Sequence, residues 1–305
     1  MKQWTAVLAV FAASCATLTP SAPAFTLDFT FTGSVPADLR NAVTYAGGLW
    51  SSWLLDTNTA ENEDIEITVD YKDLGAGVLG EAGPTRVWYD NNYLYLPATA
   101  AVLYGAGDTD NEDGIINFSN NSRFDWYTAT DGNPAGGQYD AVTVALHEIG
   151  HQVGFYPTYE MSKDNTWGYN IIGNQYRLTK WDTLLRDASG HAPAAGQVND
   201  AFNETGNPIY FTGSEAVAEY GGNIPIYAPA DYAPGSSLSH VDEQPPFESY
   251  LMSYSLNTGE AIHSLSAVEV AMLRDLGWNA VPEPASAVLL AFGAAVLSRR
   301  RRKTA

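Results

Sequence analysis

Between residues 25 and 281 the chain has no cysteine; its single one, Cys15, lies near the N-terminus. No disulfide can staple that region, which must rely on its apolar core and on any metal it binds. Basic residues are scarce as well. The full chain carries 15 Lys+Arg against 35 Asp+Glu, a formal charge of −20, and over residues 25–281 nine basic residues face thirty-four acidic ones, a net −25. A surface of that sign argues against nucleic acid as a partner. It suits a soluble exported protein and is compatible with calcium sites. A 14-residue apolar run near the C-terminus, Ala285 to Ser298, falls short of the ~20 residues of an ordinary membrane span. No internal repeat is visible.

What is present at the two ends differs from what lies between them. Residues 1–24 carry Lys2, the apolar stretch WTAVLAVFAA, and then SAPA with small residues at its exit. That order predicts a secretory signal peptide cut after Ala24. At the other end Pro282-Glu283-Pro284 precedes the apolar run and a basic cluster, Arg299 to Arg302 and Lys303. A basic stop after an apolar segment fits a chain halted in the membrane with its positive end in the cytoplasm. Together the triplet, the apolar segment and the arginines, over residues 282–305, resemble the PEP-CTERM sorting tail of Gram-negative bacteria. The resemblance implies recognition by an exosortase-type sorting protease and display at the cell surface or in the extracellular matrix, with the tail as a transient membrane anchor. A plain C-terminal anchor is the alternative.

In the interior, FTLDFTFTG (25–33) and IEITVDYKDL (65–74) alternate apolar and polar residues and predict strands, with TRVWYD and YLYLP as shorter candidates. PADLRNAVTYAGGLWSSWLL (36–55) predicts a helix, since Leu39, Val43, Ala46 and Trp50 fall near helical spacing. A short strand is expected at Ile115–Ser119. Asp140 is placed to cap the next helix, where its carboxylate can accept free backbone N–H groups. From there Val142, Ala145, Leu146, Ile149 and Val153 form one apolar stripe, with His147 and His151 off it and one turn apart. After Gly154 the chain is loop-rich until SLSAVEVAMLRDLGW (264–278), a helix with capping-box spacing at Ser266 and Glu269 and a stop at Gly277. The expected fold class is α+β: a mixed sheet with the active-site helix over residues 25–154, then an irregular subdomain over residues 155–281 that ends in a helix.

The chemistry concentrates in ALHEIGHQVGFYP (145–157). Two histidines four apart on a helix share a face and can bind one ion, and a glutamate directly after the first can reach a water on that ion. Zinc lowers the pKa of such a water, and the carboxylate takes its proton as it attacks a peptide carbonyl. A catalytic zinc takes three protein ligands, yet in the extended pattern H-E-x-x-H-x-x-G-x-x-H the eleventh position is Pro157. The third ligand must come from elsewhere. His191 lies in a flexible-looking stretch. His263 precedes the last helix and is expected to cap it or face solvent. His240 follows a Gly-Ser-Ser turn and stands twelve residues before Met252. Carboxylates compete as well: Glu215 and Glu219 at helical spacing, and Asp164 shortly after the motif.

HEIGHQVGF, GSSLSHVDE, LMSY and LSAVEVAMLRDLGW, in that order, resemble a leishmanolysin-like metzincin, a zinc protease class in which a long insertion separates the motif glycine from the third histidine. The similarity spans most of residues 85–278. It implies His147, His151 and His240 as zinc ligands, Glu148 as general base and Met252 as the methionine of the turn beneath the metal. Eighty-five residues separate Gly154 from His240. Two features depart from leishmanolysin: this interior has no cysteine, and its first strand begins at the expected signal cleavage site. Tyr254 resembles instead the turn tyrosine of serralysins and astacins, which implies a donor to the oxyanion; a packed core tyrosine is the alternative.

GDTDNEDG (107–114) resembles part of a calcium loop, with Asp108, Asp110 and Glu112 at alternating positions, which keeps Ca2+ as a candidate cofactor beside Zn2+. Its glycine falls at 114 rather than 113 and Ser119 replaces the closing glutamate, so a solvated turn is the better reading. The strand that follows, Ile115–Ser119, is expected to form the sheet edge above the active site, where a protein or peptide substrate adds as an extra strand. The function expected is an exported zinc endopeptidase. The alternative is a non-catalytic surface or biofilm-matrix protein that keeps a structural metal site; a free Glu148 beside the ligands favours the enzyme.

Overall fold

The computed structural model describes residues 26–55, 64–97, 112–161, 166–198 and 207–280. The expected signal peptide, Asp108, Asp110, Asp164 and the tail from residue 282 lie outside the described residues. The first half is built on a four-stranded sheet. Strand β1 (Thr26–Phe31) leads into helix α1 (Ala37–Trp53) and the short β2 (Leu54–Leu55), followed by β3 (Asp64–Lys72) and β4 (Gly80–Pro84). A small hairpin of β5 (Trp88–Tyr89) and β6 (Leu94–Tyr95) precedes β7 (Gly114–Ser119), and β8 (Asp125–Tyr127) pairs in parallel with β9 (Gln138–Asp140). The main sheet runs β1-β3-β7-β4, with the first three parallel and β4 antiparallel to β7. Among the described residues no strand covers the outer edge of β4.

The strand alternation seen in the sequence sorts the two sheet faces. Leu27, Ile65, Ile67, Val69, Ile116 and Phe118 are buried on one of them, in register across β1, β3 and β7. Against that face pack α1 and helix α2 (Ala141–Gln152). Asp140 caps α2, its Oδ1 accepting from Thr143 N–H at 2.7 Å and Thr143 Oγ1 at 2.8 Å. Trp50 of α1 donates from Nε1 to Leu146 O at 2.9 Å, which fixes α2 along its length. At the far end Gly154 takes φ +131°, and Phe155 N–H returns to Gly150 O, so the helix stops as the glycine predicts.

The second half contains the hairpin β10 (Tyr169–Ile172) and β11 (Gln175–Arg177), helix α3 (Lys180–Leu184), and a small sheet of β12 (Leu185–Asp187), β13 (Ile209–Phe211) and β14 (Ile224–Ile226), with helix α4 (Ser214–Tyr220) between its last two strands. Helix α5 (Ala267–Leu276) closes the fold with the expected capping box at Ser266 and Glu269 and a left-handed Gly277 at its end. Strand β15 (Asn279–Ala280) then pairs with β2, and Trp278 Nε1 donates to Val153 O at 2.7 Å, which ties this end to the end of α2. Buried residues from both sides of Gly154 form one apolar cluster. No described helix is long and apolar enough to cross a membrane.

One expectation is corrected. Ile115–Ser119 is a strand, but it lies between β3 and β4 and is not the edge; the edge is β4. Gly80, Gly83 and Pro84 give that segment little intrinsic strand preference, so pairing with β7 makes it a strand.

Candidate metal centre

His147 and His151 project from α2 into a cavity of about 540 Å³ that is also lined by Glu148, His240, Tyr254 and the β4 residues Gly80 to Ala82. His240 arrives on a tightly bound turn. Ser237 N–H donates to Ala233 O, Leu238 N–H to Tyr227 O and Tyr227 N–H to His240 O, each at 2.9 Å. Leu238 is forced to φ +71° yet is fully buried, and its carbonyl accepts Trp181 Nε1 at 2.9 Å. Non-glycine residues held in that region are kept there only by surrounding structure. The result is that His240 Nε2 lies 2.9 Å from His147 Nε2, which in turn lies 3.1 Å from His151 Nε2. Among the described residues, these three histidines are the group of His, Cys, Asp or Glu side chains close enough to share one ion.

Hydrogen bonding fixes what those nitrogens present. Each Nδ1 faces a backbone carbonyl: His147 toward Leu251 O at 2.8 Å, His151 toward Phe155 O at 2.7 Å, and His240 toward Ser236 O at 2.7 Å. A carbonyl only accepts, so each Nδ1 carries the proton, and in a neutral ring each Nε2 then holds a lone pair. Burial pushes all three imidazoles below their usual range, His151 to about 3. Three lone pairs facing one another cannot hydrogen-bond among themselves. Their spacing matches a shared cation instead, because metal–nitrogen bonds of about 2.0–2.1 Å in tetrahedral array set neighbouring nitrogens about 3.3 Å apart. The three rings could therefore hold a metal ion, with tautomers already set by the backbone.

Glu148 is buried beside them, against the backbone of β4: a Cβ at Gly80 would stand 2.5 Å from its Oε1. Burial, with Glu81 nearby, pushes its carboxyl up to about 8. A carboxyl so placed needs a neighbouring positive charge to ionise near neutrality. Met252 is fully buried, and a Cβ at Gly150 would stand 2.4 Å from its Sδ, so it packs directly on the helix next to His151. Its N–H donates to Glu269 Oε1 at 2.8 Å and its carbonyl accepts from Val241 N–H at 3.0 Å, which links α5 to the residue after His240. The capping box was legible in the sequence; this second bond of Glu269 was not.

Tyr254 stands on the cavity wall, partly exposed, stacked on Tyr227 at 3.8 Å between ring centroids. Burial, and then the Glu243 carboxylate to which its hydroxyl is bonded, push the phenol up to about 12. Pro157 is buried in the same wall. The remaining candidates are elsewhere. His263 neither caps α5 nor lies open to solvent: its Nε2 meets Asp140 Oδ1 at 2.8 Å, at the start of α2. His191 is exposed and paired with Asp187 at 3.1 Å. Glu215 and Glu219 lie on α4, exposed and apart from the histidine group.

Against known families, a model of the PEP-CTERM protein-sorting motif matches residues 280–303. That motif implies recognition of the C-terminus by an exosortase, and an exported protein anchored transiently at the membrane. No curated protein matches the chain.

Proposed function

We propose that the chain is an exported zinc-dependent endopeptidase of the leishmanolysin-like metzincin kind, with His147, His151 and His240 as ligands and Glu148 as general base. One observation carries the reading: three neutral imidazoles present lone pairs to a common point inside a cavity that also holds a buried carboxyl. Zinc, when bound there, supplies a Lewis acid that activates water and polarises a peptide carbonyl. Glu148 accepts a proton from the attacking water at its carboxylate and returns it to the departing amine. Burial disfavours the ionised form of Glu148, and a positive charge at the histidines favours it. The open edge of β4 offers backbone groups to which an extended peptide adds as a further strand. Tyr254 is the candidate donor to the oxyanion, a role that requires its hydroxyl to leave Glu243.

The test is cleavage of casein or a long peptide by the purified protein, with zinc content measured in parallel. Glu148→Gln should retain zinc and lose activity by about 10²–10⁴-fold, the usual contribution of a positioned base. His240→Ala should lose zinc, and His263→Ala should keep it. Full hydrolysis by Glu148→Gln would refute the mechanism. A wild-type protein that binds zinc and cleaves nothing would favour the structural metal site of a surface protein.

A further inference from the structure

Gln152 follows His151 and stands one helical turn after Glu148, so the two side chains leave α2 on the same side, toward the sheet. It is buried, and its Nε2 donates to two carbonyls at once, Gly83 O at 3.0 Å and Ile115 O at 3.2 Å. Those two residues face each other across β4 and β7. Along the same ladder Ser119 N–H donates to Leu79 O and Thr85 N–H to Asp113 O. Antiparallel alternation then directs the backbone groups of Glu81 and Gly83 toward β7, and those of Gly80 and Ala82 toward the open edge. Gln152 thus engages carbonyls that belong to the ladder, each of which has a second lone pair to offer. The approach depends on missing side chains: a Cβ at Gly114 would stand 2.4 Å from Gln152 Oε1, as one at Gly80 would stand 2.5 Å from Glu148 Oε1.

We infer that Gln152 is a positioning residue that clamps β4 to α2, and so sets the height of the open backbone edge at Gly80 and Ala82 above Glu148 and the three histidines. The clamp itself rests on geometry alone; its consequence for substrate rests on the peptidase reading. An edge strand rich in glycine and proline has little intrinsic preference to stay extended, and among the described residues β4 is paired on one side only. The two side-chain hydrogen bonds supply from α2 part of what a second neighbouring strand would otherwise supply. A loosened edge holds an extended peptide less well, while the metal ligands, anchored through Leu251, Phe155 and Ser236, are unaffected.

Gln152→Met tests this in the full-length, zinc-loaded protein, because it keeps length and packing while removing both donors; Gln152→Ala removes the volume as well. Two quantities are read: hydrogen exchange at the Glu81 and Gly83 amides, and KM and kcat for a long peptide. The methionine variant should exchange those amides roughly tenfold faster and raise KM by about fivefold, with kcat within about twofold and zinc content unchanged. Wild-type exchange with wild-type KM would overturn the clamp. A fall in kcat at constant KM would overturn the positioning role, since Gln152 would then act on the chemistry. If the wild type cleaves no peptide, the peptidase reading fails on its own and the exchange rates alone decide the clamp.

Discussion

Glu269→Ala should cost far more than the loss of a helix cap. The side chain is fully buried and serves two masters: Oε2 accepts Ser266 N–H at 2.8 Å as part of the capping box, and Oε1 accepts Met252 N–H at 2.8 Å. Ser266 returns the cap bond by accepting Glu269 N–H at 3.1 Å. Ser266→Ala removes that cap contact together with the hydroxyl's bonds to the Glu269 carboxyl and to Tyr250, all at the helix start, at a cost of about 1 kcal/mol. Glu269→Ala removes a cap contact and also leaves the Met252 N–H buried without a partner, a further cost of about 1–3 kcal/mol. The expected total is about 3 kcal/mol, against a domain stability on the order of 5–15 kcal/mol. Urea unfolding of both variants should show midpoint shifts at constant slope, with the glutamate variant displaced roughly three times as far. Because Met252 O holds Val241 N–H, next to His240, the same variant should lose zinc to a chelator faster than Ser266→Ala does. Equal destabilisation by the two substitutions would refute the argument, since the bond to Met252 would then contribute nothing.

Other positions give independent tests. Gly80→Ala places a Cβ 2.5 Å from Glu148 Oε1 and 2.9 Å from Val144 Cγ1, so kcat/KM for peptide cleavage should fall by about 10–100-fold with zinc content unchanged. Asp182 accepts from Thr158 N–H, Thr158 Oγ1 and Thr179 N–H, yet burial lifts its carboxyl to about 6. A folded pKa above the unfolded value of about 3.9 means that its stabilisation is complete below pH 4 and is lost as pH rises through 6, by on the order of 3 kcal/mol. The unfolding free energy of wild type relative to Asp182→Asn, from urea titrations between pH 4 and 7, should fall by that amount as pH rises, and a constant difference would contradict it.

Much of the fold could be read from the chain because local signals agreed with tertiary packing. Helix α2 has a cap at Asp140, a stripe at spacings of three and four, and a stop at Gly154, and all three are present. The alternation in β1 and β3 likewise matches the face on which Leu27, Ile65, Ile67 and Val69 are buried. β4 carries no local signal, since nothing in GEAGP favours a strand; its conformation comes from β7, more than thirty residues later. For the same reason the sequence suggests β7 as the edge, whereas in the structure it is β4. At the site, His147, Glu148 and His151 share one short motif, and the order of the later motifs points to His240. The bond from Glu269 to Met252 has no local pattern. Gln152 did leave a trace, since its spacing from Glu148 marks a shared helical face, but only the position of β4 gives that face something to hold.

The distribution of the three carbonyls explains why the second half of the chain is needed at all. Phe155 O, Ser236 O and Leu251 O each lie where the backbone has left regular structure, and each sets the tautomer of one histidine. A helix can supply two imidazoles, but its own carbonyls are occupied along the helix, so the acceptors for Nδ1 must come from irregular segments packed around it. Phe155 packs on Trp181 at 5.2 Å between ring centroids, and Trp181 Nε1 holds Leu238 O in the turn that carries His240. One aromatic pair thus couples the acceptor of the second histidine to the position of the third. Trp181→Phe should keep the ring contact while freeing Leu238 O, and its left-handed φ then has one restraint fewer. In this arrangement Pro157 is buried in the cavity wall near the start of the segment that returns with His240, and the break in the motif is where that return begins.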